Sequence, residues 1–357
     1  MLNPHVDTAI NMLTEVYNDI RGVSNFANTC NSFVIGHVAS DPDWLASARS
    51  RSEYLRDVMN AFMRQKPDIM ASIIVSFVDY QTLFAAFATQ YKQLSSTDDW
   101  LSMLESLKST ATASMNTTNN ANAGFSDAYK NVSDRVFLLD DSISQGWQAL
   151  SGEEAEMTRI AEAIGELTNS IASLGAEVNS ADLRAGKTYV QSLVKMAYSV
   201  VMETASSVPY LTIATGLLSI GEGVYNTLKN ASDVQTQLDK LTQLQNKATQ
   251  AAQATAITKA VLQQLNTLEK SFLSLDSSLP ALSLLWQNEI DKLSSAINAI
   301  NAGSDPSLLF DLQTAEIAAA SWQTITDFAN QLHQAPQVGN SILVNCEDKT
   351  ISLMNHE

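Results

Sequence analysis

The chain has few of the residues that break or staple structure. Its 357 residues include seven prolines, thirteen glycines and two cysteines. So few breakers exclude a fold of many short strands and favour long helices. Two cysteines, Cys30 and Cys346, exclude a disulfide-rich scaffold, and they lack the CxxC spacing of a zinc site. They lie near opposite ends of the chain and fit either one bridge or two free thiols. Positive charge is also scarce: 21 Lys and Arg against 38 Asp and Glu leave a net charge of −17. That excludes a nucleic-acid binder, which needs clustered Lys and Arg against phosphate, and disfavours electrostatic docking on anionic lipid. The opening residues, Met1-Leu2-Asn3-Pro4-His5-Val6-Asp7, carry no basic stretch followed by an apolar core, so no cleavable signal peptide is expected.

Chemistry-bearing motifs are missing as well. His5, His37, His333 and His356 stand in no HExxH-type spacing, and there is no GxSxG elbow. Gly186-Lys187-Thr188 ends like a phosphate-binding loop, but Ala181 stands where the first glycine should be and the stretch falls in a helical pattern. Gly221-Glu222-Gly223 has no strand before it and reads as helix packing. Asp98-Asp99 and Asp140-Asp141 read as helix caps and solvated faces rather than cation ligands. We therefore expect no catalytic residue, no metal and no cofactor, and a chain that is not an enzyme.

What is present is apolar periodicity. Hydrophobic residues make up 45% and charged residues 17%, enough apolar content to bury a core and too much for disorder. Asn3-Pro4 is a cap followed by a first-turn proline. Behind it Val6, Ile10, Leu13, Val16, Tyr17, Ile20, Val23 and Phe26 step by threes and fours, predicting a helix to about Val38. Asp41-Pro42 opens a second helix, which Pro67 ends. Ile69 to Tyr91 is apolar enough for a buried core helix. Thr97-Asp98-Asp99 caps a long helix to about Leu150, whose Thr- and Asn-rich centre, Ser109 to Asn122, is expected to face solvent. Ser151 and Glu154 have capping-box spacing and open a helix to about Ala205. Val261, Leu265, Leu268, Phe272, Leu275, Leu279, Leu282, Trp286, Leu293, Ala296 and Ile300 keep a heptad register with only Glu289 off pattern, the seam of a long antiparallel bundle. Pro280 sits inside that seam and is expected to kink it. Leu238, Leu241 and Leu244 extend it backwards with a slip near Lys247. Ser304-Asp305-Pro306 opens a last helix to about His333. Ile342-Leu343-Val344 and Thr350-Ile351-Ser352-Leu353 predict a terminal hairpin. The five tryptophans, Trp44, Trp100, Trp147, Trp286 and Trp322, fall on apolar helical faces and read as core.

Residues 188 to 228 break this pattern. Only Lys195 and Glu203 carry charge from Thr188 to Gly221. Ser206-Ser207-Val208-Pro209 is a turn between two apolar arms, each too short to cross a bilayer alone. A hairpin that enters a membrane fits better, and it would sit mid-chain between two long helical arms. The residues expected to meet lipid are Val194, Val200, Val201, Pro209, Tyr210, Leu211, Ile213, Leu217, Leu218 and Ile220. Pro209, Gly216, Gly221 and Gly223 are the hinge candidates. Thr215, Ser219 and Gly223 fall at four-residue steps, a small-residue stripe if the arm is helical. Tyr189, Tyr198, Tyr210 and Tyr225 bracket the hairpin where an interfacial belt would lie. The competing reading is a non-lytic helical scaffold or secretion-associated protein that binds partner helices.

The order of long arm, apolar hairpin, second arm and closing helix resembles the cytolysin A superfamily of α-pore-forming toxins. It is most similar to the haemolysin BL and non-haemolytic enterotoxin group and to the multi-component, motility-associated (Mak) cytotoxins of Gram-negative bacteria. The stretches carrying the resemblance are Ser278-Leu279-Pro280-Ala281-Leu282-Ser283-Leu284-Leu285-Trp286 and Ala318-Ala319-Ala320-Ser321-Trp322-Gln323-Thr324-Ile325, each with a tryptophan on a closing helix. The resemblance implies an all-α, elongated antiparallel bundle as tail (1–187 and 229–357) and a small hydrophobic head (188–228), either helical or a β-tongue. It implies a secreted, water-soluble monomer that converts on a target-cell membrane into a homo-oligomer or an assembly with companion toxin subunits. The head here is less apolar than the most hydrophobic heads of that group, since it carries Lys195, Glu203 and many hydroxyls.

Overall fold

The computed structural model describes residues 3–38, 41–65, 69–94, 96–183, 196–201, 210–215, 222–306, 312–334 and 341–353. Helices dominate: α1 (Val6–Ser32), α2 (Asp43–Gln65), α3 (Ile69–Gln90), α4 (Thr97–Ala149), α5 (Glu154–Leu183), α6 (Glu222–Asn230), α7 (Ser232–Gln245), α8 (Gln250–Asn301) and α9 (Leu312–Gln334). Four short strands accompany them: β1 (Met196–Val201), β2 (Tyr210–Thr215), β3 (Ser341–Asn345) and β4 (Thr350–Leu353). The chain forms two compact units, one from residues 1–20, 66–127 and 273–335, the other from 21–65, 128–272 and 336–357.

The heptad seam of α8 is buried at every expected position, from Val261 to Ile300, and the helix continues through Pro280. The slip near Lys247 is a break between α7 and α8. Thr249 opens α8, its backbone N–H and hydroxyl both donating to Glu153, at 2.8 and 2.9 Å. α4 starts with a reciprocal cap one residue earlier than expected. The Asp99 N–H donates to Ser96 Oγ at 3.1 Å and the Ser96 N–H to Asp99 Oδ2 at 3.2 Å.

Four helical expectations are corrected. α1 ends at Ser32, not Val38, because Arg49 of α2 takes the next carbonyls: its Nε donates to Ile35 O at 2.8 Å and its Nη2 to Gly36 O at 3.1 Å. The centre of α4 does not simply face solvent. Ala111, Ser114, Thr118, Ala121 and Phe125 form a buried stripe. Ser114 and Thr118 are tolerated there because each hydroxyl donates to the carbonyl four residues back, at 2.9 and 3.0 Å. Ser151–Glu153 is a 3₁₀ turn entered from Leu150 without a side-chain cap, so the expected capping box is not made. The helix expected to reach Ala205 is α5, which ends at Leu183, and residues 196–201 are strand. Cys30 and Cys346 are both free and buried, which excludes the bridge. Burial pushes the Cys346 thiol up to about 12 and the Cys30 thiol higher still.

The first unit is held by aromatic rings. α3 sends Phe77, Tyr80, Phe84 and Phe87 inward, all fully buried. Phe77 lies 4.8 Å from Trp286 of α8, Tyr80 lies 4.7 Å from Trp322 of α9, and the two indoles stack at 5.8 Å and 9°. Phe87 continues the cluster to Tyr91 and Trp100. The residue that broke the heptad, Glu289, sits in this apolar setting at 2% exposure. It is tolerated because it is partnered. Tyr80 Oη donates to its Oε1 at 2.9 Å, and Lys292 Nζ, which also donates to Asn3 O, lies 3.2 Å from its Oε2. Burial still pushes the Glu289 carboxyl above its ordinary range, against the pull of Lys292 and Tyr80. Such a group holds its proton more tightly in the folded chain than in the unfolded one. The stability it confers is complete below the ordinary carboxylate pKa and is lost as pH rises through the raised value.

In the second unit Phe26 of α1 meets Phe272 of α8 edge-on at 5.7 Å. Arg51 of α2 forks onto α4, donating to Ser142 Oγ at 2.7 Å and to Asp141 at 3.1 Å. Asp140 pairs with Lys259 at 2.7 Å, so both members of the Asp140-Asp141 pair serve helix contacts. Trp44 of α2 lies across Gly146 of α4, and a Cβ there would sit 2.5 Å from the indole ring.

Two outcomes are expected. Gly146→Ala forces that indole to move and should cost about 1–3 kcal/mol, read as a lower Tm by thermal circular dichroism. Glu289→Gln should remove one pH-dependent component of stability. As pH is lowered from neutral into the ordinary carboxylate range, the Tm of the parent chain should rise relative to that of the variant.

Candidate functional site

Within the apolar segment 188–228 the structure describes two strands, β1 and β2, and the start of α6. β1 and β2 pair antiparallel, with Met196 opposite Thr215, Tyr198 opposite Ile213, Val200 opposite Leu211 and Val201 opposite Tyr210. A helix leaves no backbone group for a neighbour, but a two-stranded hairpin leaves one outer edge on each strand and is marginal alone in water. Here β2 is an inner strand. Its second edge pairs with β3, setting Leu211 opposite Val344, Thr212 opposite Leu343, Ile213 opposite Ile342 and Ala214 opposite Ser341. β3 pairs in turn with β4, giving one four-stranded antiparallel sheet in the order β1-β2-β3-β4.

Of the residues expected to meet lipid, Val200 and Val201 lie in β1, and Tyr210, Leu211 and Ile213 in β2. The sheet brings these five together, Val200 facing Leu211 and Val201 facing Tyr210 across the ladder. Val194, Pro209, Leu217, Leu218 and Ile220 lie outside the described residues, as do the hinge candidates Gly216 and Gly221, the charges Lys195 and Glu203, and Tyr189. Gly223 falls in the first turn of α6. The small-residue stripe is not formed, because Thr215 is in a strand and Gly223 in a helix. The strand state had a signal in the sequence: Tyr198, Val200, Val201, Tyr210, Thr212, Ile213 and Thr215 are the β-branched and aromatic types that pack well on a pleated surface.

The larger omission is the C-terminal hairpin, which the sheet joins to β2. Its buried residues alternate, Ile342, Val344 and Cys346 with Ile351 opposite, while Ser352 is exposed. Its turn is written into the sequence. Asn345 Oδ1 accepts the N–H groups of Glu347 and Asp348, and Lys349 takes a left-handed φ of 54°. Three contacts fix the hairpin to the helices that follow the head. Tyr225 Oη of α6 donates to Ile351 O at 3.0 Å, Thr242 Oγ1 of α7 donates to Cys346 O at 2.6 Å, and Lys349 pairs with Asp239 of α7 at 2.7 Å. Tyr225, expected in an interfacial belt, is thus committed to β4. Only the Asx turn at Asn345 could have been read beforehand; the pairing partner could not.

Among the described residues no group of three or more His, Cys, Asp or Glu is placed to hold a metal ion.

No protein-family model and no curated protein sequence matches the chain. Solved structures do. Motility associated killing factor B from Vibrio cholerae is 49% identical, with a TM-score of 0.85 over 99% of this chain and 100% of that one. A second structure, of the cytotoxin MakB from Vibrio cholerae, is 47% identical with a TM-score of 0.82 over the same shares. Soluble SmhB of the tripartite alpha-pore forming toxin Smh from Serratia marcescens is 11% identical, with a TM-score of 0.66 over 92% of this chain and 93% of that one, a likeness of fold alone.

Proposed function

The chain belongs to the family of the cytotoxin MakB, and from that membership we propose that it is an α-pore-forming toxin or one subunit of a multi-component pore. The observation that carries the reading is the near-complete alignment with MakB at 49% identity, together with an apolar two-stranded hairpin set mid-chain between helical segments. The protein acts by changing shape rather than by catalysis. It is secreted and acts at a target-cell membrane, as a homo-oligomer or with companion subunits.

The mechanism follows from where apolar surface is stored. In water the head keeps its backbone groups paired in the sheet. At a bilayer, transfer of apolar surface into lipid returns about 25 cal/mol per Å². Only that difference in affinity between the stored and inserted states shifts the population. A strand pair cannot cross hydrocarbon with open edges, so the segment has to close a barrel with its neighbours or refold as helices. Val194, Val200, Val201, Pro209, Tyr210, Leu211, Ile213, Leu217, Leu218 and Ile220 enter the bilayer, and Pro209, Gly216, Gly221 and Gly223 supply the bends. The domain division that goes with this reading is a tail of 1–187 and 229–357 and a head of 188–228.

Dye release from liposomes, with the protein alone and with proteins encoded beside it, tests the reading. The parent chain should release dye. Replacing Leu217 and Leu218 with Asp should abolish release while helical circular dichroism stays unchanged, and undiminished release would remove those residues from the mechanism.

A further inference from the structure

We propose that the C-terminal hairpin β3–β4 is a clasp on the head, and that breaking the β2–β3 ladder is the step that permits insertion. The proposal rests on the pore-forming reading for its purpose, and on the sheet for its substance.

Four observations support it. First, β3 is the strand that makes β2 an inner strand. Without it the head would be a lone two-stranded hairpin with an open apolar edge, which is unstable in water and prone to pair with other chains. Second, the clasp comes from a distant part of the chain, so it can part from β2 without any change in the covalent neighbours of β1 and β2. Third, the clasp is anchored on its own side. Tyr225, Thr242 and Lys349 tie it to α6 and α7, and Ile342, Val344, Cys346 and Ile351 are buried. None of the three polar ties involves β1 or β2, so the hairpin can stay docked while those two strands leave. Fourth, β2 and β3 are joined by a ladder of only four residue pairs. The bonds to be broken are a short backbone ladder, each of modest net strength in water and replaceable once the segment finds new partners.

Two experiments test it. In the first, Thr212→Cys with Leu343→Cys places a pair of thiols on residues that face one another across the β2–β3 ladder, within disulfide reach. The native thiols are buried with raised pKa values and stay out of the reaction. The oxidised protein should release liposome dye roughly tenfold more slowly than the same protein after reduction. Equal release in the two forms overturns the clasp and leaves the pore reading standing. In the second, Tyr225→Phe with Thr242→Val removes two anchors while keeping side-chain volume. Hydrogen exchange of the β1 and β2 amides should then speed by roughly tenfold, with α3, α8 and α9 unchanged. If only β3 and β4 exchange faster, the hairpin is a passenger and the clasp is refuted. The exchange result needs no membrane, so a parent chain that never releases dye would sink the pore reading while this measurement still decides the clasp.

Discussion

Backbone hydrogen bonding is the constraint on which the head depends. An apolar segment can be kept in water only if its peptide groups have partners, since orphaned N–H and C=O groups are costly once buried. Strands β1 and β2 meet this condition by pairing with each other and then with a strand from the far end of the chain.

The rest of the second unit serves that arrangement. α6 and α7 follow directly on the head and supply Tyr225, Asp239 and Thr242 to the returning hairpin. Asn345 shapes the turn, so that Lys349 reaches α7 at the cost of a left-handed backbone. The first unit solves a different problem, that of holding an apolar helix in place. α3 is apolar on most faces, and a helix of that kind has no intrinsic orientation. Phe77 and Tyr80 against Trp286 and Trp322 give it one, and the buried carboxyl of Glu289, met by Tyr80, ties it to α8. Burial makes that carboxyl favour its proton, while its hydrogen bonds from Tyr80 and Lys292 favour the charged form, so acid relieves the burial penalty rather than strengthening those bonds.

The chain belongs to the family of the cytotoxin MakB. The proposed pore-forming role asks one segment to be kept in water and then to meet lipid. The many hydroxyls of residues 188–228 suit the first demand, and their apolar runs and low charge suit the second.

The sequence by itself determined the helices and their buried faces. The seam of α8, the apolar α3, the two tryptophans on the closing helices and the break before α8 were all legible, because helical bonds join residues four apart and the periodicity of side chains follows directly. It also marked the mid-chain apolar segment and the terminal hairpin as separate facts. Tertiary structure alone decided that these are one sheet, that the chain after α1 gives the Ile35 and Gly36 carbonyls to Arg49, that Ser114 and Thr118 are buried, and that Cys30 and Cys346 never meet. Each of those outcomes depends on a partner far away in the chain. Strand pairing leaves no periodic trace of which strand will be the partner, and a lone residue such as Arg49 has no pattern at all.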